Sequence, residues 1–250
     1  MSSSDWIEFW DNKNPIYVDA RHEAAHFRRI AEDIRGFAPE DGNGVMLDYG
    51  CGEALSAGLV AEKLTRLILC EAAPNVRGML AGRYAGNPKI VVRKPDDITT
   101  MAAESIDVVI MHSVAQYVSP QQLDTLFRLF RKLLKPGGLF VLGDVIPRKV
   151  SALTDALALL RFGSQEGFYW QALRGLVRTR FSNYWKLRKS LGLERYDEGE
   201  ITAKLESAGF TVQRARSNIG HNAKRMTFLA HARERDRRGR VSRPLGLSPC

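Results

Sequence analysis

Cysteine is scarce in this chain. Three occur in 250 residues, Cys51, Cys70 and Cys250, and they share no metal-ligand spacing. An odd, scattered set argues against a disulfide framework and against a zinc site. Cys51 and Cys70 read instead as small packing residues near strand ends. Long apolar runs are also missing, and none reaches the ~18 residues a membrane span needs. The opening stretch, MSSSDWIEFWDNKNP, lacks the basic and apolar regions of a secretory signal. The expectation is a soluble, cytoplasmic protein that holds no metal. Internal repeats are absent, so the chain reads as one large domain rather than an array.

Charge is present in excess and unevenly placed. The net charge is +9. Residues 148–195 hold ten Lys/Arg against three Asp/Glu, and residues 231–250 hold six Arg against two acids. The rest of the chain is therefore close to neutral. A basic segment beside a neutral domain suits nucleic acid, an anionic lipid surface or an acidic substrate.

Apolar periodicity divides the remainder. Ala24, Phe27, Ile30 and Ile34 recur at helical spacing over 20–35, Gly36 ends the run, and Asp5 or Asp19 could each cap a helix. Short apolar runs at 45–50, 67–72, 89–93, 106–111 and 139–145 read as strands, with helices predicted at 55–63, 74–84 and 120–134. The stretch after 93 reads as a loop and LKPGG (134–138) as a turn. A helix at 201–210 and strands at 211–216 and 225–232 follow. This alternation implies an α/β fold, a seven-stranded sheet with helices on both faces. The last two strands lack a helix between them, so the final strand must be antiparallel. The Arg-rich end, 233–250, has no apolar period and reads as a disordered tail.

The chemistry concentrates in VMLDYGCGEALSAG (45–58). A buried strand ends in Asp48, then Gly50 and Gly52 precede a helix. Glycines let backbone approach a ligand with no Cβ in the way. The helix start presents free N–H groups there, beyond the carboxyl ends of the strands. Glu71, closing the second strand, can accept both hydroxyls of a ribose. A dinucleotide would want a third glycine at Leu55 and brings a pyrophosphate. An anionic Asp48 suits a positively charged ligand better.

These residues resemble the class I S-adenosylmethionine (SAM)-dependent methyltransferases, most of all their small-molecule branch. The likeness covers about 40–146 well and 200–230 loosely. It implies a Rossmann-like, doubly wound sheet, mostly parallel. It implies that Asp48, Gly50, Cys51 and Gly52 hold the methionine part of SAM, and that Glu71 and Ala72 hold the ribose. Asp96, Asp97 and Ile98 would lie beside the adenine, and His112 and Ser113 at the methyl-transfer site. LLKPGGLFVLGD (133–144) resembles the family's turn into strand five. The family often has a third glycine where Ala54 stands. Families of this type often close the pocket with an N-terminal helix, which makes Tyr17 and Arg21 candidates for the cofactor carboxylate.

Methyl transfer needs alignment and, for an oxygen or nitrogen acceptor, a base. His112 ends strand four, His221 follows strand six, and Tyr117 follows strand four. These three are the candidate catalytic residues. His22 and His26 are i,i+4 neighbours with no evident third ligand, so they read as a solvated helix face; His231 reads as inert. About fifty residues, 148–195, intervene after strand five, with helical patterns at 151–162 and 168–193. We read them as a lid over a small, apolar or amphiphilic, even lipid-like acceptor, capable of resting on an anionic membrane. The domain boundaries expected are an N-terminal helical cap (1–36), the methyltransferase domain (37–232) and the tail (233–250). Alternative readings are an RNA methyltransferase using the basic segments, a SAM-binding scaffold without turnover, and a dehydrogenase.

Overall fold

The structure is a computed structural model that describes residues 3–12, 20–150, 152–167, 169, 173 and 192–233. Seven strands form one sheet: β1 (Val45–Tyr49), β2 (Arg66–Cys70), β3 (Ile90–Arg93), β4 (Ile106–His112), β5 (Leu134–Val145), β6 (Phe210–Arg214) and β7 (Met226–Ala232). Their order is β3-β2-β1-β4-β5-β7-β6. The first five are parallel, and β7 runs antiparallel to both β5 and β6. This is the mostly parallel, doubly wound sheet expected. Strand order reverses between β1 and β4, so the crevice at the carboxyl ends of those strands is the ligand edge.

The helices are α1 (Ser3–Asp11), α2 (Ala20–Arg35), α3 (Ala57–Ala61), α4 (Pro74–Arg83), α5 (Pro95–Thr99), α6 (Pro120–Leu133), α7 (Ala152–Glu166) and α8 (Glu198–Ser207), with a 3₁₀ turn at Ala115–Tyr117. Side-chain alternation along the strands builds two cores. On β4, Val109 and Met111 join Phe127, Phe130, Phe140 and Phe210 on one face, while Val108 and Ile110 join Ile34, Val60, Leu64 and Leu80 on the other. Helix α6 shows why such segments are helical. Ser119 Oγ accepts from the Gln122 amide and Gln122 Oε1 from the Ser119 amide, Pro120 occupies the first turn, and Leu123, Phe127, Phe130 and Leu133 bury one stripe. Full burial of each of these is worth about 2 kcal/mol.

Three local expectations are corrected. The stretch after β3 is the short helix α5, started by Pro95, rather than a loop. Residues 134–138 belong to β5: Leu134 already pairs with Ile106, the chain swings out through Gly137 at φ +74°, and pairing resumes at Leu139. Asp107 holds that excursion, taking Lys135 Nζ at 2.8 Å and the Val45 amide at 2.8 Å. His231 lies within β7, inside the strand expected at 225–232. His22 is buried, because α2 turns this side toward α7 and not toward water. Of the inserted segment, α7 is helical as expected; most of 168–193 lies outside the described residues, as do Asp19, Tyr17 and 234–250. No helix among the described residues is long and apolar enough to cross a membrane.

Candidate active site

The turn after β1 is built for close approach. The amides of Gly50 and Cys51 both donate to the Cys70 carbonyl, at 2.8 and 3.2 Å, which lashes the turn to the end of β2. Gly50 sits at φ +73°, and a Cβ there would lie 2.4 Å from Val114 Cγ2. Gly52 sits at φ +58°, and a Cβ there would meet nothing within 4 Å. Gly50 is thus required by packing, whereas Gly52 borders open space where a ligand can touch backbone.

Glu71 faces that space. Its Oε2 accepts from the Gly52 amide at 2.8 Å and its Oε1 from the Ala73 amide at 2.9 Å. One lone pair on each oxygen stays free for a diol. Arg77 donates to the carbonyls of Glu71 and Ala72 at 2.9 and 3.0 Å, fixing the strand end. Asp48, at the end of β1, has its carboxyl pushed up to about 7, first by burial and then by the nearby Glu71 charge. Such a carboxyl is poised to ionise when a cation arrives. Burial also raises the Cys51 and Cys70 thiols, and neither cysteine is in a disulfide.

Other predicted residues are spread around this turn. Asp97 Oδ2 accepts the Lys94 amide at 3.2 Å, and Asp96, exposed, lies 3.6 Å from Lys94 Nζ. Ile98 is fully buried in the core with Leu47 and Ile68, so its side chain is structural. Arg21 is exposed, with its guanidinium beside Gly167 at the end of α7.

Beyond β4 a second group assembles. Ser113, just past β4, and Asp144, one residue before the end of β5, adopt left-handed conformations, φ +56° and +61°. Ser113 Oγ donates to Asp144 Oδ2 at 2.6 Å, and Arg225 lies 3.6 Å from the same oxygen. Asn218 accepts the Asp144 amide at 3.1 Å. Two strained non-glycine residues bonded together mark a site held in place by its surroundings. His112 packs over Gly143, where a Cβ would come within 2.9 Å of its Nδ1. That Nδ1 is buried without a hydrogen-bond partner. His221 stacks on Phe162 of α7, centroids 4.7 Å apart, and meets His26 at 5.8 Å, which in turn meets His22 at 6.2 Å. Burial lowers His112 and pushes His221 down to about 4; His26 is held well below the ordinary value by burial and by the neighbouring imidazoles.

The structure therefore brings His112 and His221 together and adds His22 and His26, which the sequence reading had assigned to water. Tyr117 goes elsewhere. Its ring packs on Trp6 at 4.6 Å and Trp10 at 5.8 Å, both from α1. Helix α1 also reaches α4, where Asp11 Oδ1 accepts the Asn75 amide at 2.6 Å, so it bridges the segments after β2 and β4.

Three supporting residues escaped sequence reasoning. Tyr84 donates to the Ala54 carbonyl at 2.5 Å and accepts the Ala57 amide at 3.2 Å, pinning the loop in which Ala54 holds φ +40°. Asn218 and Thr227 bond to each other at 2.8 Å to shape the loop carrying His221. Arg77 did leave a trace: a cation near a helix start opposes the dipole and needs another reason to be there.

Residues 47–142 match the family model of a methyltransferase domain. That stretch is a methyltransferase domain of the SAM-dependent kind, whose cofactor is SAM. Solved structures agree on the fold. The N-methyltransferase NodS from Bradyrhizobium japonicum WM9, in complex with S-adenosyl-L-homocysteine, matches at TM-score 0.58 and 18% identity, over 94% of this chain and 100% of that one. A SAM-dependent methyltransferase from Mesorhizobium loti matches at TM-score 0.52 and 16% identity, over 81% and 96%. A protein from Bordetella parapertussis matches at TM-score 0.52 and 16% identity over 82% of this chain, which spans 66% of that longer one. No curated protein matches the chain in sequence.

Proposed function

We propose that this enzyme methylates a small acceptor lodged over the carboxyl ends of β4 and β5, by in-line displacement at the SAM sulfonium. SAM supplies an electrophilic methyl group. The chain's own residues hold, orient and exclude water. Asp48 pairs with the ammonium of the methionine part, the Gly50–Gly52 turn offers backbone, and Glu71 takes the ribose hydroxyls. Asp96 and Asp97 stand on the adenine side. Ser113, locked to Asp144, fixes the chain where the methyl group must point. His112 or His221 accepts the acceptor's proton. Helices α1 and α2 form the N-terminal cap, and α7 begins the lid.

The observation that carries this reading is the open space at Gly52, flanked by a carboxylate with spare lone pairs and a carboxyl awaiting a cation. A scaffold that had lost its cofactor would have no reason to keep all three. The experiment is calorimetry with S-adenosylhomocysteine on the wild type and on Glu71→Gln. Binding should be clear in the first and at least about 100-fold weaker in the second, roughly 2.7 kcal/mol. Absence of binding to the wild type would refute the cofactor assignment.

A further inference from the structure

Four of the five histidines meet in one place, and charge around them is already spent. His22 and His26 come from α2 and His221 from the β6–β7 loop, with Phe162 of α7 stacked on His221 and edge-on to His22; His112, at the end of β4, borders the same loop, where a Gly220 Cβ would lie 4.0 Å from its Cε1. His26, His112 and His221 each keep part of their surface open. The charged groups beside them are paired. Asp144 is held by Ser113 and Arg225. Asp33 takes the Gly220 amide at 2.8 Å and Arg29 at 3.3 Å. Burial biases the imidazoles of His26, His112 and His221 toward the neutral form, so this surface offers ring faces and imidazole nitrogens rather than fixed charge.

We infer that this cluster of imidazoles and Phe162 is the acceptor site, and that it takes a neutral, proton-donating acceptor with a flat apolar body, a phenol-like hydroxyl compound rather than an ammonium or a carboxylate. The inference rests on the function proposed above. A buried charge needs an opposite charge or a full set of hydrogen bonds. Asp144 with Arg225 and Asp33 with Arg29 are already paired, so a charged headgroup among the imidazoles would have to break one of these pairs. A hydroxyl needs only one acceptor lone pair, and an imidazole supplies it. In the reaction an imidazole takes the hydroxyl proton as the oxygen–methyl bond forms. The carbon–sulfur bond breaks toward sulfur, leaving a neutral thioether, and the imidazolium then returns its proton to water. Sharing among several rings eases that transient charge.

The test uses the full chain saturated with S-adenosylhomocysteine at neutral pH. Phenol, benzylamine and benzoate present one ring with a neutral, cationic or anionic head. Binding is followed through the histidine ring carbon and proton resonances, assigned with single His→Gln variants. Phenol should bind at least tenfold tighter than the other two and move the His26 and His221 signals. His26→Leu should weaken phenol at least tenfold without altering S-adenosylhomocysteine affinity; should that variant fail to fold, His221→Asn carries the same expectation. Equal or tighter binding of benzylamine or benzoate overturns the inference, as do unmoved histidine signals in the loaded protein. Failure to load with S-adenosylhomocysteine would instead overturn the underlying function, so the two failures are told apart.

Discussion

Titrating S-adenosylhomocysteine binding between pH 5 and pH 7 tests Asp48 directly. Burial and the Glu71 charge hold its carboxyl up to about 7. At pH 6 only about a tenth of the free protein then carries the carboxylate, and at pH 5 about a hundredth. A ligand ammonium pairs with the carboxylate alone, so affinity should fall about tenfold per pH unit below 7, near 1.4 kcal/mol each. Binding at pH 6 should release about 0.9 proton, which calorimetry in buffers of different ionisation heat measures. Asp48→Asn should bind more weakly at pH 7 and lose the pH slope, separating this carboxyl from the histidines that titrate nearby. The same variant has a stability signature. The folded value lies above the unfolded one, so the stabilising proton is fully bound below about pH 4 and is lost as pH rises through 7. Asp48→Asn should therefore raise Tm at pH 8 by several degrees while weakening the ligand. An affinity that changes less than twofold from pH 5 to 7, with no proton released, would refute the pairing.

Other outcomes follow from single distances. Gly50→Ala should cost about 2–4 kcal/mol, since it combines a left-handed φ with a Cβ 2.4 Å from Val114; chemical denaturation checks it. Gly52→Ala meets no neighbour, so it should cost only about 1–2 kcal/mol of stability yet lower S-adenosylhomocysteine affinity well beyond that effect on folding. The lowered histidines act with the opposite sign to Asp48. The unfolded chain binds their protons first, so stability is full above about pH 6.5 and falls as pH drops toward 4, which denaturation midpoints at pH 7 and pH 5 will show. Asp11→Ala should release α1 from α4, speeding S-adenosylhomocysteine exchange in stopped-flow with little change in global stability.

Much of this fold was legible because local pattern and tertiary role agree in it. The strand-end run to Asp48, the glycine turn and the Ser-Pro-x-Gln start of α6 each declare themselves within a few residues. Legibility failed where long-range contacts decide. His22 and His26 look solvated from their helix alone; only α7 and the β6–β7 loop, more than 130 residues away, bury that face. Ile98 sits in an acidic stretch yet points into the core, because α5 turns it there. Tyr117 shares an edge with His112 in sequence order, but the tryptophans of α1 claim its ring. Gly137 marks a turn correctly, while the pairing of Leu134 that makes it part of β5 depends on a partner strand.

Asp107 stands at the amino edge of the sheet, opposite everything described above. One carboxylate there, carried by β4, gathers the first amide of β1 and the lysine of the β5 excursion. The two rims of the sheet thus answer to different demands. Variation at the Asp107 rim should move the melting point and leave selectivity alone, whereas the opposite rim can be rebuilt for new chemistry without loosening this clasp.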